Sequence, residues 1–223
     1  MIHFGTPSGA HFFLDLTGLT IFILLVGRIG VVEQAASNIV LNINLLSLLP
    51  MIGLGTATSI MVGQFQGAKE SHLANRTTVS ALHMAFVHNT VIALLYWFIP
   101  DILISPFITE TFRVQLPELE ATTIQLLRFF IVIIYLASAI IMTGSTLKGS
   151  GATRFVMAAL AATSIFCLVL PSYILIEVLD QPVHIAWFSA VANLSVVCLL
   201  FVARYRSGKW KGIEVIDHGD SSK

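Results

Sequence analysis

Long apolar runs separated by short charged clusters recur along nearly the whole chain, and none of them alternates cleanly between apolar and polar positions. A bilayer core takes roughly 20 apolar residues as a helix, whereas a barrel strand takes only about ten alternating ones. The pattern therefore predicts an all-α integral membrane protein with six spans, at about 7–27, 37–62, 77–98, 129–147, 155–176 and 184–203. These make one six-helix lobe over 1–203, followed by a basic cytoplasmic tail over 204–223.

Two stretches depart from a simple series of spans. The second run lies in the uncharged stretch from Gln34 to Ala68, too long for one perpendicular crossing, with Pro50, Gly53 and Gly55 near its middle. Either a bent helix protrudes from the bilayer there, or the small residues ease close helix packing. Between the third and fourth spans, Pro100, Pro106 and Pro117 mix with Asp101, Glu110, Glu118 and Glu120. This longest connection is expected to be exposed, with room for a short interfacial helix.

Composition agrees with a lipid environment, since 56% of the residues are hydrophobic and 11% charged, about half the charged share of a soluble domain. Twelve basic and twelve acidic side chains cancel, which excludes the concentrated basic surface of a nucleic-acid binder. Cys167 and Cys198 lie in apolar runs with no Cys or His at ligand spacing, so neither a disulfide framework nor a metal site is readable. Met1 to Phe13 lack the basic region and small-residue cleavage pattern of a removable signal peptide.

The distribution of charge sets orientation. Lys69, Arg76, Lys148, Arg154, Arg204, Arg206, Lys209, Lys211 and Lys223 follow the even-numbered spans, nine in all, against Arg28, Arg113 and Arg128 on the other side. Both termini are expected in the cytoplasm, as an even helix count also requires.

Asp15 is the one acid inside any predicted span. It lies about eleven residues, or roughly 16 Å of helix rise, from the start of the first helix near Phe4, close to the bilayer centre. A carboxylate there either cycles a proton at a raised pKa, gathers oxygen ligands around a small cation, or is hydrogen-bonded for structure. His11 precedes it by four residues and shares its helix face, which suits a proton relay or a tuned ion pair. Asn42 and Asn44 in the second span, His88 and Asn89 in the third and Asn193 in the sixth are candidates to line a wet cavity. Uncharged polar groups in membranes more often join helices. His88 stands apart because an imidazole titrates near neutrality. The chain has no glycine-rich phosphate loop, no paired His on a helix and no Ser, His and Asp set at one depth. An ion gradient is then the energy source left for a pump, and no enzymatic role is expected.

Several segments resemble the C-terminal half of multidrug and toxic compound extrusion (MATE) transporters. Gly5-Thr-Pro7 followed by Asp15 is similar to the start of the family's seventh helix. Ala35-Ala-Ser-Asn38-Ile, Pro50-Met-Ile-Gly53-Leu-Gly55 and Val62-Gly-Gln64-Phe-Gln-Gly67-Ala68 resemble the eighth helix and its loop. Gly144-Ser-Thr-Leu147-Lys148-Gly149-Ser-Gly151 looks like the Leu-Arg-Gly signature closing the tenth, and Arg204-Tyr-Arg206-Ser-Gly208-Lys-Trp210-Lys is similar to the basic tail after the twelfth.

The resemblance implies an antiporter in a bacterial inner membrane. It would export bulky, often cationic organic compounds in exchange for H+ or Na+, without a cofactor, through a cavity between two six-helix lobes. Asp15 matches the family's acidic cation-site residue. Sodium-coupled relatives carry a second acid about ten residues before the Leu of Leu-Arg-Gly, where this chain has Ala137. The expected partners are the bilayer, small organic substrates, and either a missing N-terminal six-helix lobe or a second copy. The alternative readings are a lipid-linked saccharide flippase of the same superfamily, which would want basic residues at mid-span, and a non-transporting structural fragment.

Overall fold

The computed structural model describes Thr17 and residues 20–108, 117–174 and 183–211. Among these residues every regular element is helical. In chain order they are α1 (Thr20–Ile29), α2 (Val31–Gly67), α3 (Ser71–Phe98), α4 (Pro100–Ile104), α5 (Pro117–Gly149), α6 (Thr153–Thr163), α7 (Leu170–Tyr173) and α8 (Val183–Arg206). A π-helical segment, Ser164–Val169, joins α6 to α7. Helices α2, α3, α5 and α8 are long and apolar enough to cross a membrane. They contain the second, third, fourth and sixth predicted spans. The first span is described only in its last part, as α1, and the fifth as the α6–α7 stretch.

Helix α5 is the hub, packed most extensively on α2 and also on α8 and α3. α2 and α5 run parallel, and α3 runs antiparallel to both. In lipid no hydrophobic effect drives helices together, so close packing and interhelical hydrogen bonds must. At Gly55, an added Cβ would lie 2.7 Å from Ile141 and 2.9 Å from Ser145, and one at Gly149 would collide with the Ser59 carbonyl. Gly55, Ser59 and Gly63 recur every fourth residue and so form one stripe on α2, facing Ser145 and Gly149 on α5. Of the two roles open to the Pro50–Gly55 region, close packing falls to Gly55, while Gly53 is exposed with nothing within 4 Å. α2 passes through Pro50 unbroken, and its 37 residues give a length of about 55 Å, well beyond a hydrocarbon core of about 30 Å.

The core is stacked in three tiers. One end holds Phe22, Val26, Val40, Tyr96, Leu127, Phe130 and Trp187. The middle holds Met51, Ala81, Ala85 and Met142, and the far end Val62, Ala74, Leu147, Val156, Phe201 and Trp210. Lys69, Arg76, Lys148, Arg154, Arg204, Arg206 and Lys211 all belong to elements ending or beginning at the Trp210 tier. Arg28 and Arg128 lie towards the Trp187 tier, where the Arg128 guanidinium is 5.3 Å from the Trp97 ring centre. The charge asymmetry of the sequence is thus an asymmetry between two ends of the bundle.

The connection after α3 has exposed positions at Asp101, Ser105, Pro106 and Phe107, as expected, but it is anchored by buried ones. It contains the short α4, but Pro100, Ile104 and Ile108 are buried against the core, and helix α5 already starts at Pro117. Proline suits a first helical turn, whose N–H groups have no intrahelical partner, and Glu118 and Glu120 favour the positive end of the helix dipole. The charges that end the apolar run therefore mark a membrane boundary and not a helix boundary.

Candidate functional site

His11 and Asp15 lie outside the described residues. Of the other candidates, His88 occupies the most particular place. Pro50 has no N–H, so the turn of α2 before it loses an intrahelical donor. The carbonyl so freed is that of Leu46, and at the next residue α3 brings polar groups, with His88 Nε2 3.1 Å from the Ser47 carbonyl and the Tyr96 hydroxyl 3.1 Å from the Ser47 hydroxyl. A carbonyl only accepts, so Nε2 carries the proton in this contact.

Asn42 is exposed on α2 and donates to the Asn38 carbonyl one turn back, at 2.8 Å. Asn193 is half-buried on α8, and its Oδ1 is buried with no hydrogen-bond partner among the described residues. An orphaned buried acceptor costs about 1–3 kcal/mol, and such a group calls for a ligand or an ordered water. Asn89 instead joins helices, donating to the Ile134 carbonyl of α5 at 2.8 Å from a buried position. Thr78 and Thr146 make a second buried α3–α5 link at 2.9 Å, and Thr90 meets the Tyr135 hydroxyl at 3.0 Å.

At the opposite end of the bundle the chain after α8 folds back. Gly208 takes a left-handed conformation, with φ of 68°, that turns the backbone. Trp210 is fully buried, stacked on Tyr205 at 5.7 Å, and its indole donates to the Tyr205 carbonyl at 2.9 Å. Gln66 donates to the Lys211 carbonyl at 2.6 Å, and the Tyr205 hydroxyl to Asn75 Oδ1 at 2.6 Å. The turn thus clasps the α2–α3 corner. That corner closes with Lys69 in the left-handed region and hydrogen bonds from Lys69 to Gln66 and Glu70 to Phe65, which satisfy carbonyls at the end of α2.

Among the described residues, two clefts flank α2. One of about 360 Å³, between α2 and α3, is lined by Leu54, Thr58, Met61, Arg76, Thr77 and Met84 among others. The second, about 380 Å³, lies between α2, α5, α6 and α8, and its wall includes Lys148 and Phe201. Asn42, His88 and Asn193 line neither. Sequence reasoning missed the Gly55–Ser59–Gly63 seam, although its four-residue spacing of small side chains was there to be read.

Long apolar helices, an apolar outer surface bearing Leu46, Val87, Phe98 and Leu199, and, among the described residues, charges towards the ends define a multi-pass all-α membrane bundle. The profile of the MatE family matches residues 7–174, and the chain belongs to that family. It is also similar to a probable multidrug resistance protein NorM of Thermotoga maritima, 23% identical over 212 residues. That alignment takes in 95% of this chain and 44% of the relative, so the chain spans less than half the relative's length.

Proposed function

We propose that this chain is one lobe of a secondary active efflux antiporter that exports organic, often cationic, compounds in exchange for H+ or Na+. Asp15 is the coupling group in this reading, with His11 beside it on the same helix face. The observation that carries the proposal is the family match over residues 7–174, within which Asp15 is the one acid inside a predicted span. The relative's name, a multidrug resistance protein, supports the class of substrate. Ala137, standing where sodium-coupled relatives carry an acid, favours protonation of Asp15 as the coupling step. The protein sits in a bacterial inner membrane with both termini cytoplasmic, and a second six-helix lobe or a second copy completes the cavity.

Asp15→Asn in the complete transporter tests the coupling role. Membrane insertion is expected to be unchanged and gradient-driven efflux lost. Drug resistance at the wild-type level in that variant overturns the assignment.

A further inference from the structure

Arg76, Ser80 and Met84 recur every fourth residue of α3, so their side chains form one stripe. All three line the cleft of about 360 Å³ between α2 and α3. Leu54, Met61 and Met84 make its far part apolar, whereas Arg76, Thr77 and Ser80 make the part nearer the α2–α3 corner polar. From Arg76 to Met84 is eight residues, a depth of about 12 Å. The Thr77 hydroxyl donates to the Leu73 carbonyl at 3.0 Å. Arg76 and Ser80, both exposed, have no ion-pair or hydrogen-bond partner among the described residues. Lys69 and Glu70, exposed at the corner, offset each other, so Arg76 supplies the net charge of this mouth. The uncharged run of the third predicted span starts at Thr77, which sets the guanidinium at the edge of the hydrocarbon.

We propose that this α2–α3 cleft binds an anionic phospholipid, its phosphate held by Arg76 and the Ser80 hydroxyl and part of one acyl chain lying along Met84, Met61 and Leu54. Charge complementarity selects this occupant. A guanidinium offers paired donors that match two phosphate oxygens, and the unbranched methionines adapt to a flexible chain. An organic cation would be repelled by Arg76, and a zwitterionic lipid would bring a second cation to the same mouth. A wholly apolar partner helix would cut the guanidinium off from water without a counter-charge, and an inorganic anion would leave the apolar wall unused. The inference is independent of the coupling role of Asp15.

Native mass spectrometry of the purified full chain, delipidated in detergent and supplied with phosphatidylglycerol or phosphatidylcholine of the same acyl chains, tests it. Phosphatidylglycerol is expected to be retained more than phosphatidylcholine, and Arg76→Gln to lower its retention about fivefold with little change for phosphatidylcholine. Arg76→Lys keeps most of the preference. Ala57→Phe, which fills the cleft from an exposed lining position, lowers retention of both lipids. Arg206→Gln removes an exposed cation that does not line the cleft and leaves the preference in place. Equal retention of the two lipids by the wild-type chain overturns the proposal without recourse to a variant. An Arg76→Gln loss no larger than that of Arg206→Gln overturns it too, because the preference then belongs to the basic end of the bundle in general. So does displacement of phosphatidylglycerol by glycerol phosphate, which marks a site for a free phosphate and not for a lipid.

Discussion

Single positions in this bundle are constrained most where backbones touch. At Gly149 an added methyl group meets the Ser59 carbonyl, a backbone atom with no rotamer through which to yield. Gly149→Ala is therefore expected to lower stability by about 1–3 kcal/mol, seen as a reduced unfolding midpoint in detergent, whereas Gly53→Ala, facing open space, should be nearly neutral. An unchanged midpoint for Gly149→Ala would remove the close α2–α5 contact from the account. His88 offers a second test, because its Nε2 acts as a donor to Ser47. A glutamine amide supplies a comparable donor, so His88→Gln should keep stability while His88→Ala loses about 1 kcal/mol. Loss of transport in a stable His88→Gln protein would instead assign the imidazole a proton-handling role. The sequence placed Asn89 and Asn193 in membrane helices but could not separate them. Asn89 has a carbonyl on α5 within reach and Asn193 Oδ1 has no partner among the described residues, a difference made by packing between residues far apart in the chain.

At the scale of the element, apolar runs located the helices because a membrane span needs length and few charges, and both can be counted. Helix ends were less legible. The predicted fourth span began at 129, yet α5 begins at Pro117, since a helix continues into water beyond the last apolar turn. The π-helical turn at Ser164–Val169 left no mark in composition. It shows only as a shifted hydrogen bond, Leu170 N–H to the Ile165 carbonyl, just before Pro171, and such turns and prolines are the usual origins of kinks. The α3–α5 contact rests partly on the Thr78–Thr146 pair. A double-mutant cycle with alanines at both positions should give a coupling of about 0.6 kcal/mol, and at most about 1.7. A coupling of zero would leave that contact to packing alone. Topology is tested at Glu118, at the start of α5 and exposed. A cysteine there should react with an impermeant reagent in intact cells, and one at Ser207 should be protected. The reverse pattern would invert the orientation.

The whole molecule presents a surface that lipid suits only in part. Leu45, Leu46 and Leu49 on α2 are exposed, as acyl chains allow, but Asn38 and Asn42 are exposed on the same helix. Polar side chains facing hydrocarbon are costly, so in the working protein this region of α2 is expected to face a wet cavity or a second lobe. The measurement that bears on it most directly is uptake of an organic cation into proteoliposomes under an imposed proton or sodium gradient, comparing the chain alone with the chain co-reconstituted with a matching six-helix N-terminal half. Crosslinking reports on pairing in the same vesicles. The account predicts no exchange by the lone chain and gradient-dependent exchange once the second half is present, lost when an ionophore collapses the gradient. Robust gradient-driven transport by the monomeric chain, or uptake that persists without any gradient, would contradict it.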